Sequence, residues 1–83
     1  MNFQEIADLV HFHRKKAGLS LVELADLAGV GKTVVFDIEH GKATVQYQSL
    51  AKVLETLNIR AAFESPLMIE FNNYILIKTK SGE

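Results

Sequence analysis

Residues 19–41 read LSLVELADLAGVGKTVVFDIEHG. The stretch divides into two short amphipathic segments joined by Ala28-Gly29-Val30 and closed by Gly41. Ser20 has the side chain to cap a helix start. Glu23, three residues on, completes a capping box, in which hydroxyl and carboxylate each accept from the other residue's backbone amide. Leu24, Ala25 and Ala28 form the inner face of this helix, and the small alanines let another helix approach closely. Gly29 supplies the positive φ that a tight turn between helices requires. The third helix of the chain follows from about Gly31 to His40. Val35 and Ile38, with Val34 beside them, point inward, and Gly41 ends it.

Working outward, Phe3, Ile6, Ala7, Val10, Arg14 and Ala17 recur at three-and-four spacing, the mark of one helix face. Gly18 serves as a left-handed stop. After the polar link Lys42 to Val45, a fourth helix spans about Gln46 to Leu57. Leu50, Val53, Leu54 and Leu57 are its buried stripe, and Asn58 its stop. Beyond Asn58 the period changes. Ile59, Ala61 and Phe63 alternate with Arg60, Ala62 and Glu64, which predicts a strand halted at Ser65-Pro66. Leu67 to Phe71 and Tyr74 to Thr79 flank Asn72-Asn73, a tight hairpin turn by composition. The expected fold is therefore mainly α. A compact helical bundle over 1–58 precedes a C-terminal β-strand or hairpin extension over 59–83. One or two isolated strands are unstable in water, so this extension is expected to cover the helices or to pair with a second chain.

Composition bounds the function. The 83 residues suffice for one small core, and a chain of this size buries only about 60% of its unfolded surface. With 48% hydrophobic residues and one proline the chain is a folding one. It has no cysteine, which excludes disulfides and thiolate metal sites and fits an intracellular, cytoplasmic location. The N-terminus carries acids and no basic region, so no signal peptide is expected. No apolar run approaches the roughly 18 residues that span a bilayer. The net charge of −1 is low for a nucleic-acid binder. Distribution outweighs the sum, however. Arg14, Lys15 and Lys16 cluster at the end of the first helix, and Lys32 and Lys42 bracket the third.

Two apparent chemical motifs fail on inspection. Gly29-Val30-Gly31-Lys32-Thr33 imitates the end of a phosphate-binding loop. The full motif needs a glycine five residues before Gly31 and a preceding strand, whereas this chain has Asp26 and an amphipathic helix. His11 and His13, two apart on a helix, project to different sides and cannot chelate together. They read, with His40, as exposed helical histidines. No nucleophile–base–acid or paired-carboxylate arrangement stands out, so neither catalysis nor a cofactor nor a metal is expected.

The pair of helices around Gly29 has the layout of a helix-turn-helix, in which one helix braces a second that enters the DNA major groove. Leu19, Leu24-Ala25, Ala28-Gly29-Val30, Val35, Ile38-Glu39 and Gly41 resemble the core and the closing glutamate-any-glycine of the Cro/C1-type (XRE), lambda repressor-like family over about Ile6 to Leu57. The stretch FHRKKAGLSLVELADLAGVGKTVVFDIEHGK, followed by AAFESPL, is most similar to HipB-type antitoxins. That resemblance implies a dimeric autorepressor of a palindromic operator. It also implies C-terminal strands paired between subunits through Ala61 and Phe63, and a HipA-like kinase toxin as partner.

The resemblance also assigns residues. Lys32, Thr33 and Asp37 fall on the outward face of the recognition helix, where a lysine can donate to guanine, a threonine can meet a thymine methyl, and an aspartate can accept from cytosine. For Asp37 an intrahelical partnership with Lys32 or Thr33 is the alternative. Ser20, Leu21, Lys42 and Thr44 take the phosphate-clamping positions at helix starts. Arg14 and Glu39 match a buried structural ion pair. Leu21 and Val22 depart from the family, which has polar residues there. With Leu27 they leave the second helix apolar on several sides, and they keep open a rival reading, a protein-interaction module of the same fold with little or no DNA binding. Phe36 points off the inner face, toward either a thymine methyl or a neighbouring core, the core being slightly preferred.

Overall fold

The computed structural model describes residues 2–80. Among these residues five α-helices follow in order: α1 Phe3–Lys16, α2 Leu21–Ala28, α3 Lys32–Glu39, α4 Tyr47–Thr56 and α5 Met68–Lys80. Local chemistry sets most of their ends. The Asn2 side chain accepts from the Glu5 amide at 2.8 Å to start α1, and His13, Arg14, Lys15 and Lys16 crowd its last turn, where the helix dipole favours positive charge. Gly18 stops it at φ 71°. The capping box on α2 is complete: the Glu23 amide donates to Ser20 Oγ at 3.0 Å, and the Ser20 amide donates to Glu23 Oε1 at 2.9 Å. Gly29, at φ 72°, turns the chain out of α2. The Val30 amide then donates back to the Ala25 carbonyl at 3.0 Å, so the turn closes on itself. Asn58 follows α4 at φ 59°, a left-handed position that asparagine tolerates better than branched residues.

The first four helices share one core. Ala7 and Val10 of α1, Leu24 and Ala25 of α2, Val35 and Ile38 of α3, and Val53 of α4 are buried. Leu19, Leu21, Val34, Val45, Leu50 and Leu57 pack around them. α3 lies against both α1 and α2, and α4 packs chiefly on α2. The expected stripe of α1 is cut short at both ends: Ile6 is half-buried, while Phe3 and Ala17 are exposed.

The C-terminal extension differs from expectation. Among the described residues there is no strand. Residues 59–65 are irregular, and the expected hairpin is the single helix α5. Ala61 and Phe63 accordingly make no ladder, and both are exposed. The physical reason is partner supply. A strand needs a neighbouring strand for its backbone groups, and none forms among the described residues, whereas a helix satisfies its backbone internally. Ser65-Pro66 then starts a helix instead of halting a strand. The Leu67 amide donates to Ser65 Oγ at 3.2 Å, and the Met68 amide to the Ser65 carbonyl at 3.2 Å. Asn72-Asn73 sits in mid-helix, not in a turn.

α5 stays out of the core. Its described side chains are exposed except Met68, which is half-buried. The radius of gyration is 15.9 Å with a long axis of 45 Å, against about 12 Å for a compact chain of this length. No helix among the described residues is long and apolar enough to cross a membrane.

Because every buried residue among those described lies between Ala7 and Val53, a chain truncated after residue 60 should keep a cooperative thermal transition within a few degrees of the full-length midpoint. Circular dichroism at rising temperature checks this; loss of cooperativity would mean that α5 belongs to the folding unit.

Candidate nucleic-acid interface

Position on α3 decides which side chains are available. Val35 and Ile38 are buried in the core, so Lys32, Thr33 and Phe36 emerge on the outer side, with Asp37 half-exposed between. The N-cap is Gly31, which has no side chain to offer, and α4 likewise starts from Gln46 without a side-chain cap. Two helix starts therefore present backbone amides to solvent, the arrangement that accepts anionic oxygens.

The residues expected to meet DNA form two groups around α3. Ser20, Leu21 and Lys32 line one shallow depression together with Lys15. Asp37, Lys42 and Thr44 line a second, together with Gln46 and Ser49. Thr33 is exposed on α3 beside Lys32. Asp37 pairs not with Lys32 or Thr33 but with Lys42, whose Nζ stands 3.6 Å from Oδ2. The Ser20 hydroxyl oxygen and backbone amide are both engaged in the capping box. Hydrogen bonds to the Glu23 carboxyl from Ser20, its backbone amide first and its side chain second, hold that carboxyl below its ordinary value of 4.5. An acid thus already occupies the start of α2, where a phosphate clamp was expected, while the starts of α3 and α4 have no such occupant. Leu21 is half-buried against the core rather than standing free; Val22 and Leu27 are exposed.

What orients α3 is a charged cluster on its inner side. Arg14 Nε donates to Glu39 Oε2 at 2.6 Å, and its second nitrogen donates to Oε1 at 3.0 Å, a two-pronged pair. The third guanidinium nitrogen donates to the Leu19 carbonyl at 2.8 Å. One side chain thus ties α1 to the loop before α2 and to the end of α3. His11 Nδ1 joins at 2.6 Å from Glu39 Oε1. The side chains of Arg14 and Glu39 are 10% and 4% exposed. Burial pushes the Glu39 carboxyl upward, but the hydrogen bonds from Arg14 and His11 and the Arg14 charge prevail, so it lies below its ordinary value. The bond to Glu39 raises Arg14 above its own.

His11 is the participant that the sequence reading missed. Its side chain is indeed exposed at 56%, yet its ring reaches a buried carboxylate. The signal was its place three residues before Arg14, which puts both on one face of α1. Phe36 joins no core: it is 45% exposed and stacks on the His40 ring at 3.9 Å. His40 Nδ1 in turn lies 2.7 Å from the Phe36 carbonyl oxygen. Among the described residues, no group of three or more histidine, cysteine, aspartate or glutamate side chains is placed to hold a metal.

Residues 13–63 match the helix-turn-helix family model. An uncharacterized HTH-type transcriptional regulator of Sinorhizobium fredii, y4mF, is 43% identical over 53 residues, which cover 64% of this chain and 70% of that protein. The family match runs from the end of α1 through α4 and stops short of α5.

Replacing Glu39 by glutamine should cost about 3 kcal/mol, because it strands the Arg14 charge in a nearly closed setting. Denaturant unfolding measures the loss. The same carboxylate predicts an acid dependence. A group lowered on folding adds stability that is full above its unfolded value, here near 4.5, and that fades as pH falls through the still lower folded value. The wild type should therefore lose stability from about pH 5 downward, and Glu39→Gln should lose distinctly less over the same range.

Proposed function

Since the chain belongs to the helix-turn-helix family, we propose that it is a DNA-binding transcriptional repressor working in the cytoplasm on double-stranded DNA. The observation that carries this reading is the placement of α3. Its inner side is fixed by Val35, Ile38 and Glu39, while its outer side offers Lys32 and Thr33 at an uncapped helix start. Lys32 and Thr33 meet base edges in the major groove, with Asp37 beside them. The Lys42 contact offsets the repulsion that a lone Asp37 would feel from phosphate. Ser20, Leu21, Lys42 and Thr44 flank this helix and contact phosphates, with the stronger clamp at the start of α4.

The finer reading rests on the HipB-type resemblance of residues 12–42. The protein is then the antitoxin of a HipA-like kinase toxin, a homodimer that represses its own palindromic operator and binds the toxin. Two α3 helices about 34 Å apart enter successive major grooves of such a site. The rival, an interaction module without DNA binding, draws on the net charge of −1 and on the exposed Val22 and Leu27.

The test is a titration of the purified chain against DNA from its own promoter region at two salt concentrations. Specific binding that weakens steeply with salt supports the repressor, and no binding at low salt supports the rival. Within the same assay, Lys32→Ala should weaken binding about tenfold and reduce the salt slope by roughly one. Unchanged affinity would remove α3 from the interface.

A further inference from the structure

Thr33, Phe36, Asp37 and His40 recur at three-and-four spacing, so they run along the outer side of α3. His40 is the C-cap, at the opposite end of that side from Lys32 and Thr33, and it is exposed. Two contacts fix its ring. It stacks on Phe36 with centroids 3.9 Å apart and planes 23° apart. Its Nδ1 lies 2.7 Å from the Phe36 carbonyl oxygen. A carbonyl only accepts, so Nδ1 must carry a hydrogen. The state of the other ring nitrogen then follows the charge. Nε2 is an acceptor when the ring is neutral and a donor when the ring is protonated.

We propose that His40 is a proton-gated phosphate contact: the charged imidazole donates from Nε2 to a DNA phosphate, and the neutral imidazole does not. This rests on the preceding reading, in which α3 enters the major groove. A phosphate oxygen accepts and never donates. The neutral ring held by Phe36 therefore turns a lone pair toward it, and the other tautomer would give up the carbonyl bond. Position agrees. A recognition helix meets base edges with its N-terminal residues, and His40 lies about 10 Å further along the axis than Thr33, toward the groove wall. The neighbourhood agrees as well. His40 and Leu21 line one depression. Leu21 stands at a phosphate position but brings no donor, and Ser20 beside it is engaged in its capping box. His40 supplies the donor that the start of α2 lacks. The charged groups of that depression are Asp8, His11 and Arg14 from α1 and Glu39 from α3, α2 contributing only Leu21. Arg14 and Glu39 cancel each other, and Asp8 stands against His11. The C-terminal end of α3 favours a cation at His40. A phosphate arriving there adds to that preference, so DNA binding takes up a proton. Affinity accordingly rises as pH falls and is lost as pH climbs through the range where an imidazole discharges.

The test is a titration of the full chain against its promoter-region duplex at about pH 6 and about pH 8, the span in which histidines change charge, each at several salt concentrations. The acid loss of stability expected from Glu39 begins only near pH 5, so the fold is constant across this span, and circular dichroism checks that for each variant. The wild type should bind about tenfold more tightly per bound chain at the lower pH, the scale of one charge-assisted hydrogen bond. Its salt slope should also be steeper there by about 0.9 per chain, the mark of one more phosphate neutralised. His40→Gln should bind at both pH values as the wild type does at the higher one. His40→Arg, with a fixed charge, should bind at both as the wild type does at the lower one. His11→Gln and His13→Gln should keep the wild-type ratio between the two pH values. A wild type whose affinity and slope ignore pH overturns the proposal and leaves DNA binding standing. So does a pH dependence that survives His40→Gln or disappears in His11→Gln or His13→Gln. A chain that binds no DNA at either pH removes the reading of α3 itself, and this inference with it.

Discussion

The Arg14–Glu39 pair is the constraint on which the rest depends. α3 is only eight residues long, too short to hold its own orientation, and its two buried apolar side chains leave rotation about its axis loosely set. The two-pronged bond removes that freedom. The guanidinium plane aligns with the carboxylate, and its remaining nitrogen is held by the Leu19 carbonyl, so the end of α3 is referred to the rigid body of α1. Such a pair adds little net stability over an apolar substitute. What it contributes is direction: an outward face of α3 that points one way.

The same economy of charge explains how a nearly neutral chain can offer a basic surface. Its acids near the interface are occupied internally. Glu39 is taken by Arg14 and His11, Glu23 by the start of α2, and Asp37 by Lys42. Lys15 and Lys32 share one depression between α1, α2 and α3, where Glu23 is the one acid in the lining and is committed to its cap. Net charge therefore underrates the local field, because opposite charges already in contact cancel within a few ångström.

Legibility in the sequence followed the range of the interactions. Features decided within four residues were read correctly: the capping box from Ser20 and Glu23, the stop at Gly18, the turn at Gly29 and the end of α4 at Asn58. The core positions Val10, Leu24, Val35, Ile38 and Val53 were legible from periodicity. The link between Glu39 and His11 was not, since it joins residues 28 apart. The C-terminal segment misled for a different reason. Its apolar residues are dense enough to fit a two-residue period and a helical one alike, and the choice falls to whether a strand partner exists. Phe36 and Phe3 were misplaced because helical spacing assigns a face but does not say where the neighbouring helix ends. For the interface, the placement of Lys32 and Thr33 outside the core followed from that of Val35 and Ile38. The contact of Asp37 with Lys42 depended on the path of the loop after Gly41.

The turn at Gly29 has one further consequence. A β-carbon built on Gly29 meets nothing within 4 Å. The site therefore strains ordinary side chains by chirality, not by crowding. A mirror-image residue, D-alanine introduced by chemical synthesis, would adopt φ 72° without backbone strain and would narrow the freedom of the unfolded chain. Handedness, rather than size, is what this turn selects.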